Sequence, residues 1–212
     1  MDLDPKLILA ISKGRVLEEF LDFIKGTTFS LIKEPKNTRK ILVDTNTPHI
    51  KVLLVRGWDV PTYVTSGTAH LGIVGKDILM EKNSEEFIEL RDLRIGNCRI
   101  LLAGKEKNIL KKPKLKVATK YPLIAKKYLS TIGIQSDVIY LHGSQEIAPD
   151  LGLADVVIDI VDSGKTLKAN NLKEIKLIKN ISTRLIVNRA ALKTKDHTMD
   201  EFISKIDVSL RD

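Results

Sequence analysis

The stretch from Ala154 to Leu167, ADVVIDIVDSGKTL, constrains this chain more than any other. Val156, Val157, Ile158, Ile160 and Val161 make an apolar, β-branched run that suits a strand buried on both faces. Two carboxylates, Asp159 and Asp162, close the run, and Ser163-Gly164-Lys165-Thr166 then forms a small, hydroxyl-rich turn that opens a helix. Such a turn gathers backbone N–H groups, two hydroxyls and the positive end of a helix dipole at one point, which favours a phosphate dianion. Carboxylates do not bind phosphate, so the uses open to Asp159 and Asp162 are to accept hydrogen bonds from ribose hydroxyls or to hold Mg²⁺.

A nucleotide-binding P-loop is excluded. It needs a glycine five positions before the Gly of Gly-Lys-Thr, and Asp159 stands there. One monophosphate is therefore expected rather than a nucleotide tail. The strand, the acidic pair and the small-Gly-x-Thr helix start resemble the 5-phosphoribosyl 1-diphosphate (PRPP) loop of phosphoribosyltransferases. The alternative for this segment alone is a plain βα turn with Ser163 as its N-cap.

At 212 residues with 43% hydrophobic residues, the chain is long enough for one large domain or two small α/β lobes. A single cysteine, Cys98, allows no intrachain disulfide, which suits the cytoplasm. The apolar run Leu7–Ile11 is too short for a signal peptide or a membrane span and reads as a first strand. The formal net charge of +8 and the lysines from Lys105 to Lys120 invite a nucleic-acid reading. Only Tyr121 and Tyr128 lie near that run, so no stacking platform is evident, and a solvated lysine face is expected instead. Neither nucleic acid nor membrane is expected as a partner, although a positive field also draws in polyphosphate substrates.

Strands are expected at 7–11, 50–56, 70–74, 99–103, 115–118, 136–141, 155–161 and 183–188. Helices are expected near 14–25, 59–66, 76–82, 121–132, 144–151, 165–171 and 197–208. This alternation predicts an α/β fold with mixed, mainly parallel sheets. No flexible tether divides the chain, so two lobes would have to be joined by strands that cross between them. A short internal echo between SGTAHLGIVGKDIL (66–79) and LGLADVVIDIVDSGKTL (151–167) fits either two related lobes or ordinary βα grammar.

Other candidate residues sit where strands end. Lys13, Gly14 and Arg15 follow the first strand and place two cations at a helix start, where an anionic ligand would offset the unfavourable dipole. Arg56 closes the apolar run Val52–Val55, at the edge where α/β sheets bind ligands, and a guanidinium there can grip a pyrophosphate with two N–H groups. Arg39, ahead of Ile41–Val43, is a weaker candidate of the same kind, and Ser144 with Glu146 follows another apolar strand. The four histidines show no metal-ligand spacing, and Cys98 reads as a small residue entering a strand.

Taken together these segments resemble the ATP phosphoribosyltransferases, and the likeness covers most of the chain. It is carried by SKGRVLEE (12–19), VRGWDVPTYVTSGTAHLGIVGKDIL (55–79), LRIGNCRILLAG (93–104), ATKYPLIAKKYL (118–129), GSQEIAPDLGLADVVIDIVDSGKTLKANNL (143–172) and RLIVN (184–188), in that order. A chain ending at Asp212 looks like the family's short form, which lacks a C-terminal regulatory domain.

The resemblance implies a bilobal fold like that of type II periplasmic binding proteins, with the active site in the cleft. Lobe I would hold 1–92 plus 180–212 and lobe II 93–179 with the PRPP loop. It implies attack of N1 of ATP on C1 of PRPP, the first step of histidine biosynthesis, with Mg²⁺ travelling with the substrates. Ser163, Gly164, Lys165, Thr166 and Leu167 would cradle the 5-phosphate, with Glu146, Asp159 and Asp162 on the PRPP side. Arg56, Arg39 and Lys13 would act catalytically on the pyrophosphate, and Gly14, Arg15, Gly75 and Asp77 would meet ATP or pyrophosphate. A homodimeric core and a hetero-octamer with a regulatory subunit similar to histidyl-tRNA synthetase are implied as partners.

One departure is His70, where the family more usually has Asp, which touches an expected contact on the cleft floor. Gly57-Trp58 is a second, confined to local packing. A bilobal small-molecule binding protein and a different phosphoribosyltransferase are the rival readings.

Overall fold

Leu7, Leu9 and Ile11 face one side of β1 (Leu7–Ser12) and Ala10 faces the other, and all four are buried. A strand apolar on both faces must lie inside its sheet with cover above and below. The computed structural model, which describes residues 7–32, 40–47, 49–193 and 197–211, places it so. β1 pairs in parallel with β3 (Ile50–Val55) and β4 (Leu71–Gly75). β2 (Leu42–Asp44) lies antiparallel on β3, and β11 (Thr183–Asn188) runs antiparallel between β4 and β5 (Phe87–Asp92). The sheet order is β2-β3-β1-β4-β11-β5.

Leu17, Phe20 and Ile24, on or just past α1 (Arg15–Phe23), join Met199, Phe202 and Ile206 of α6 (His197–Ser209) in the core under one face. The expected apolar stripe of α1 is thus the face it buries. Val60 and Val64 of α2 (Val60–Thr65), with Ile78 and Leu79 of α3 (Lys76–Lys82), cover the other face.

The second sheet has the order β10-β6-β9-β7-β8, from β6 (Cys98–Gly104), β7 (Lys114–Thr119), β8 (Gln135–Tyr140), β9 (Val156–Val161) and β10 (Lys173–Ile181). Its helices are α4 (Pro122–Thr131) and α5 (Lys165–Ala169). Chain contacts divide the molecule into unit 1, Met1–Gly96 with Ser182–Asp212, and unit 2, Asn97–Ile181. These bounds fall a few residues after the expected 92/93 and 179/180.

The two sheets repeat one pattern. In unit 1 β3, β1 and β4 are parallel, and two antiparallel strands follow on the β4 side. In unit 2 β8, β7 and β9 are parallel, and β6 and β10 follow β9 in the same way. The echoed segments 66–79 and 151–167 therefore hold β4 and β9, which occupy matching positions.

The eight expected strands are all present, but three expectations need correction. The sheets are mixed as expected but not mainly parallel, since five of the nine strand pairings among the described residues are antiparallel. β2, β5 and β10 were not expected. All three are edge strands, which lack a doubly buried apolar run, and β10 carries lysines on an irregular edge with two register shifts. The helix expected at 144–151 is only a 3-10 turn at Gln145–Ile147 with turns after it. Ser144 is left-handed at φ 55°, Pro149 has no N–H to donate, and Gly152 is left-handed at φ 70°, so no α-helix propagates. Arg39 lies outside the described residues.

An ion pair fastens α6 to the edge strand β5. Arg91 Nε lies 2.6 Å and its Nη2 3.0 Å from the two carboxylate oxygens of Asp207. The hydrogen bond from Arg91 holds the Asp207 carboxyl below its ordinary value. A depressed carboxylate stabilises the fold above its unfolded pKa and loses that effect as pH falls through the folded one. Both groups are partly exposed, so Asp207→Asn should cost about 1 kcal/mol at neutral pH and about 2–4 °C in melting temperature. Thermal melts across pH should show the gap closing as pH drops below the ordinary aspartate value of 3.8; a gap that persists at low pH would contradict the pairing.

Candidate active site

Parallel strands end at one sheet edge, which gathers the loops that follow them. In unit 2 these loops begin after Thr119, Tyr140 and Val161. The Thr119 hydroxyl donates to the Ile158 carbonyl at 2.6 Å and accepts the Tyr121 N–H at 2.9 Å, which clamps the end of β7 to β9. The Leu141 N–H donates to the Thr119 carbonyl at 3.0 Å and draws the 141–146 segment to the same edge.

The turn after β9 is built as a cradle. Gly164 caps α5 at φ 74°, a left-handed conformation that a side chain would strain, and no side chain caps this helix. The Ser163 cap of the alternative reading is therefore absent, and the Ser163 and Thr166 residues are exposed, as are Asp162 and Lys165. The Gly164 carbonyl accepts the Lys168 N–H at 3.1 Å, so the first-turn N–H groups of Lys165, Thr166 and Leu167 have no intrahelical acceptor and point away from the helix. Leu167 is buried and anchors the turn in the core of unit 2.

Asp159 lies on the same face of β9 as Val157 and Val161, partly buried at the mouth of that core. Burial pushes its carboxyl above the ordinary range, and the charge of nearby Glu146 adds to this. The Ile160 N–H at 2.8 Å, the Gln145 side chain and the Lys120 charge act the other way. Glu146, Asp159 and the 163–167 turn thus share one edge. Sequence reasoning missed Thr119, Lys120 and Gln145, although a polar pair after the apolar Val117-Ala118 marks the strand end where Thr119 and Lys120 sit.

Unit 1 has an edge of the same kind after Ser12, Val55 and Gly75. The Lys13 N–H donates to the Val55 carbonyl at 2.9 Å, joining the first loop to the end of β3. Lys13, Gly14, Arg15 and Arg56 are exposed here. Arg15 lies 3.3 Å from Glu19 and donates weakly to the Gly96 carbonyl at 3.5 Å, which steadies this cation at the start of α1. Asp77 is buried, and its Oδ1 would clash with a Cβ at position 75, so the carboxylate folds back over Gly75 where only glycine fits.

A family model for HisG, the ATP phosphoribosyltransferase, matches residues 56–208. The ATP phosphoribosyltransferase of Marinomonas sp. (strain MWYL1) is 45% identical over 206 residues, covering 97% of this chain and 96% of its own. The chain belongs to the ATP phosphoribosyltransferase family. The ATP phosphoribosyl transferase (HisG:HisZ) complex from Thermotoga maritima superposes with a TM-score of 0.81 at 33% identity, covering 97% of this chain and 98% of that one. The probable amino-acid ABC transporter extracellular-binding protein ytmK from Bacillus subtilis aligns at a TM-score of 0.55 with 13% identity, over 97% of this chain and 94% of its own. That likeness shows the type II binding-protein fold.

Within the ATP phosphoribosyltransferase frame, the structure gives His70 and the lysine run their places. His70 precedes β4 at the amino ends of the parallel strands, the edge opposite Ser12, Arg56 and Gly75. Its Nδ1 accepts the Ile8 N–H at 3.0 Å, so the imidazole ties the start of β4 to β1. In the lysine run, three of the seven side chains are paired: Lys105, Lys112 and Lys114 with Asp150, Asp155 and Asp137 at 2.7–2.8 Å.

The raised Asp159 carboxyl makes a stability forecast for this phosphoribosyltransferase chain. A carboxyl with a raised folded pKa favours the fold below its unfolded pKa and loses that contribution as pH rises through the folded one. Asp159→Asn, which carries no charge, should therefore melt above wild type at neutral pH. Its advantage should vanish below the ordinary value of 3.8, and a variant that melts lower than wild type at neutral pH would contradict the burial of a reluctant charge.

Proposed function

We propose that the unit 2 edge holds the phosphoribosyl end of PRPP and that the unit 1 edge serves the pyrophosphate and ATP. The enzyme is an ATP phosphoribosyltransferase, which joins N1 of ATP to C1 of the PRPP ribose, releases pyrophosphate and opens histidine biosynthesis. The observation that carries the residue assignment is the 163–167 turn, with its glycine cap and unclaimed first-turn N–H groups directly after Asp159.

No protein nucleophile is required. The task is to align two polyanions and to stabilise an oxocarbenium-like ribose and a departing pyrophosphate, by positioning and fixed charge. Ser163, Gly164, Lys165, Thr166 and Leu167 take the 5-phosphate through N–H and hydroxyl donors. Asp159 and Glu146 accept hydrogen bonds from the ribose hydroxyls, and Asp162 flanks them. Arg56 and Lys13, with Arg39, balance the pyrophosphate as it leaves, while Gly14, Arg15, Gly75 and Asp77 shape the surface for ATP or pyrophosphate.

Mg²⁺ enters with PRPP and ATP. Among the described residues no three His, Cys, Asp or Glu side chains gather to cage a metal, and an ion held by substrate phosphates, water and at most one or two carboxylates needs no such cage. It supplies charge neutralisation on the diphosphate.

The Thermotoga maritima relative is a complex of HisG with HisZ. This supports a regulatory subunit, similar to histidyl-tRNA synthetase, for this chain as well, around the homodimeric core and within the hetero-octamer that the family implies. Among the described residues no helix is long and apolar enough to cross a membrane; with a biosynthetic role, the cytoplasm is the place we assign.

Pyrophosphate release from PRPP, measured with and without ATP in Mg²⁺ and with and without a HisZ-type subunit, tests the reading. Release should depend on ATP. Arg56→Ala should lower turnover by about 10²- to 10³-fold, as for other preorganised charge stabilisers, and Thr166→Val should raise the KM for PRPP. Unchanged turnover in Arg56→Ala would remove that arginine from the mechanism, and ATP-independent release would overturn the reaction.

A further inference from the structure

The chain leaves unit 1 at the edge that carries the cationic loops. β5 runs parallel to β4, since each is antiparallel to β11, so Asp92 ends β5 on the same side as Gly75. The segment that follows is held by the returning chain. Asp92 Oδ1 accepts the Arg94 N–H at 3.0 Å and the Ser182 hydroxyl at 2.8 Å. The Leu93 N–H donates to the Thr183 carbonyl at 3.0 Å, and the Thr183 N–H to the Ile95 carbonyl at 2.8 Å.

Gly96, the last residue of unit 1 before the chain passes to unit 2, is held instead by α1. Its N–H donates to Glu19 Oε2 at close range, and its carbonyl accepts Arg15 Nη2 at 3.5 Å. Glu19 Oε1 lies 3.3 Å from Arg15 Nε, which closes a ring of three contacts. Gly96 is left-handed at φ 63°, and a Cβ there would stand 2.6 Å from Thr183 Oγ1, so the position calls for glycine.

The contacts of the ring are unequal. Both contacts of Arg15 are long and its side chain is 46% exposed, so solvent weakens them. The Glu19 bond to Gly96 is short. A phosphate group offers a guanidinium two charged acceptors at once, a stronger match than either contact that Arg15 now makes. Arg15 also stands at the start of α1, beside Lys13 and Gly14. A polyphosphate there draws Arg15 out of the ring. The Gly96 carbonyl then loses this donor, and Glu19 loses a cation and turns more of its charge on the Gly96 N–H.

We propose that Arg15 and Glu19 form a relay that carries polyphosphate binding at the unit 1 edge to Gly96, where the chain passes to unit 2. This rests on the assignment of that edge to pyrophosphate and ATP. Glu19 meets no ligand and acts through its two partners.

Amide spectra of the ¹⁵N-labelled chain titrated with pyrophosphate test the relay. In wild type the Gly96 N–H should shift, and it should saturate together with the N–H groups of Lys13, Gly14 and Arg15. Glu19→Gln keeps the length of the side chain and an acceptor for Gly96 but removes the charge that holds Arg15. The 13–15 amides should still respond in that variant, and the Gly96 shift should be lost. Arg15→Met, with Lys13 and Arg56 left to hold pyrophosphate, should lose it as well. A Gly96 shift of wild-type size in either variant would mean that the ligand reaches Gly96 directly, and a still Gly96 beside moving 13–15 amides in wild type would mean that nothing is relayed; each overturns the proposal. Wild-type 13–15 amides that do not move would instead overturn the polyphosphate assignment beneath it.

Discussion

Parallel pairing of three strands in each unit is the constraint from which the site follows. Parallel strands share an edge at their carboxyl ends, and a chain that returns from each by a helix or long connection must leave a loop there. In unit 2 the Thr119 hydroxyl, bonded to the Ile158 carbonyl at 2.6 Å, fixes that edge. It sets the height at which β9 delivers Asp159 and, one turn later, the Gly164 cap. In unit 1 the Lys13 N–H on the Val55 carbonyl does the corresponding work for the cationic loops. The apolar cores beneath these edges set the strands, and the strands set where the polar groups stand.

The electrostatics are divided by element. Where the chain has no ligand to hold, charges are matched at close range, as in the pairs of Lys112 with Asp155 and of Arg91 with Asp207. At the carboxyl edges the arrangement differs. Asp159 is kept partly buried, with its ionised form disfavoured by that burial, and Lys13 and Arg56 are left exposed on strand ends. On the proposed assignment the unit 2 edge meets a ribose phosphate and the unit 1 edge a pyrophosphate, and the partly buried carboxyl of Asp159 costs stability for the sake of that binding.

Doubly buried strands were legible in the sequence because burial on both faces leaves a continuous apolar run, as in Val52–Val55 or Val156–Ile158. β2, β5 and β10 were not, because an edge strand has one partner and needs no such run; β10 reads as KEIKLIKNI, whose lysines protect an open edge. The segment after Gly143 looked helical by composition, yet Ser144 takes a left-handed turn that local preference does not announce. Strand-end positions placed Arg56, Asp159 and the 163–167 turn correctly on their edges, since a strand end is local information. The clamp of Thr119 on Ile158 and the service of His70 to Ile8 are long-range contacts, between residues whose neighbours in the chain give no hint of them.

The most direct test of the central claim, that the 163–167 turn is a phosphate cradle, is an amide map of the ¹⁵N-labelled chain titrated with ribose 5-phosphate. The account predicts that the largest shifts fall on the N–H groups of Ser163 to Leu167, with smaller ones beside Asp159 and Glu146. Shifts confined to the loops after β1, β3 and β4, with the 163–167 amides unmoved, would contradict it.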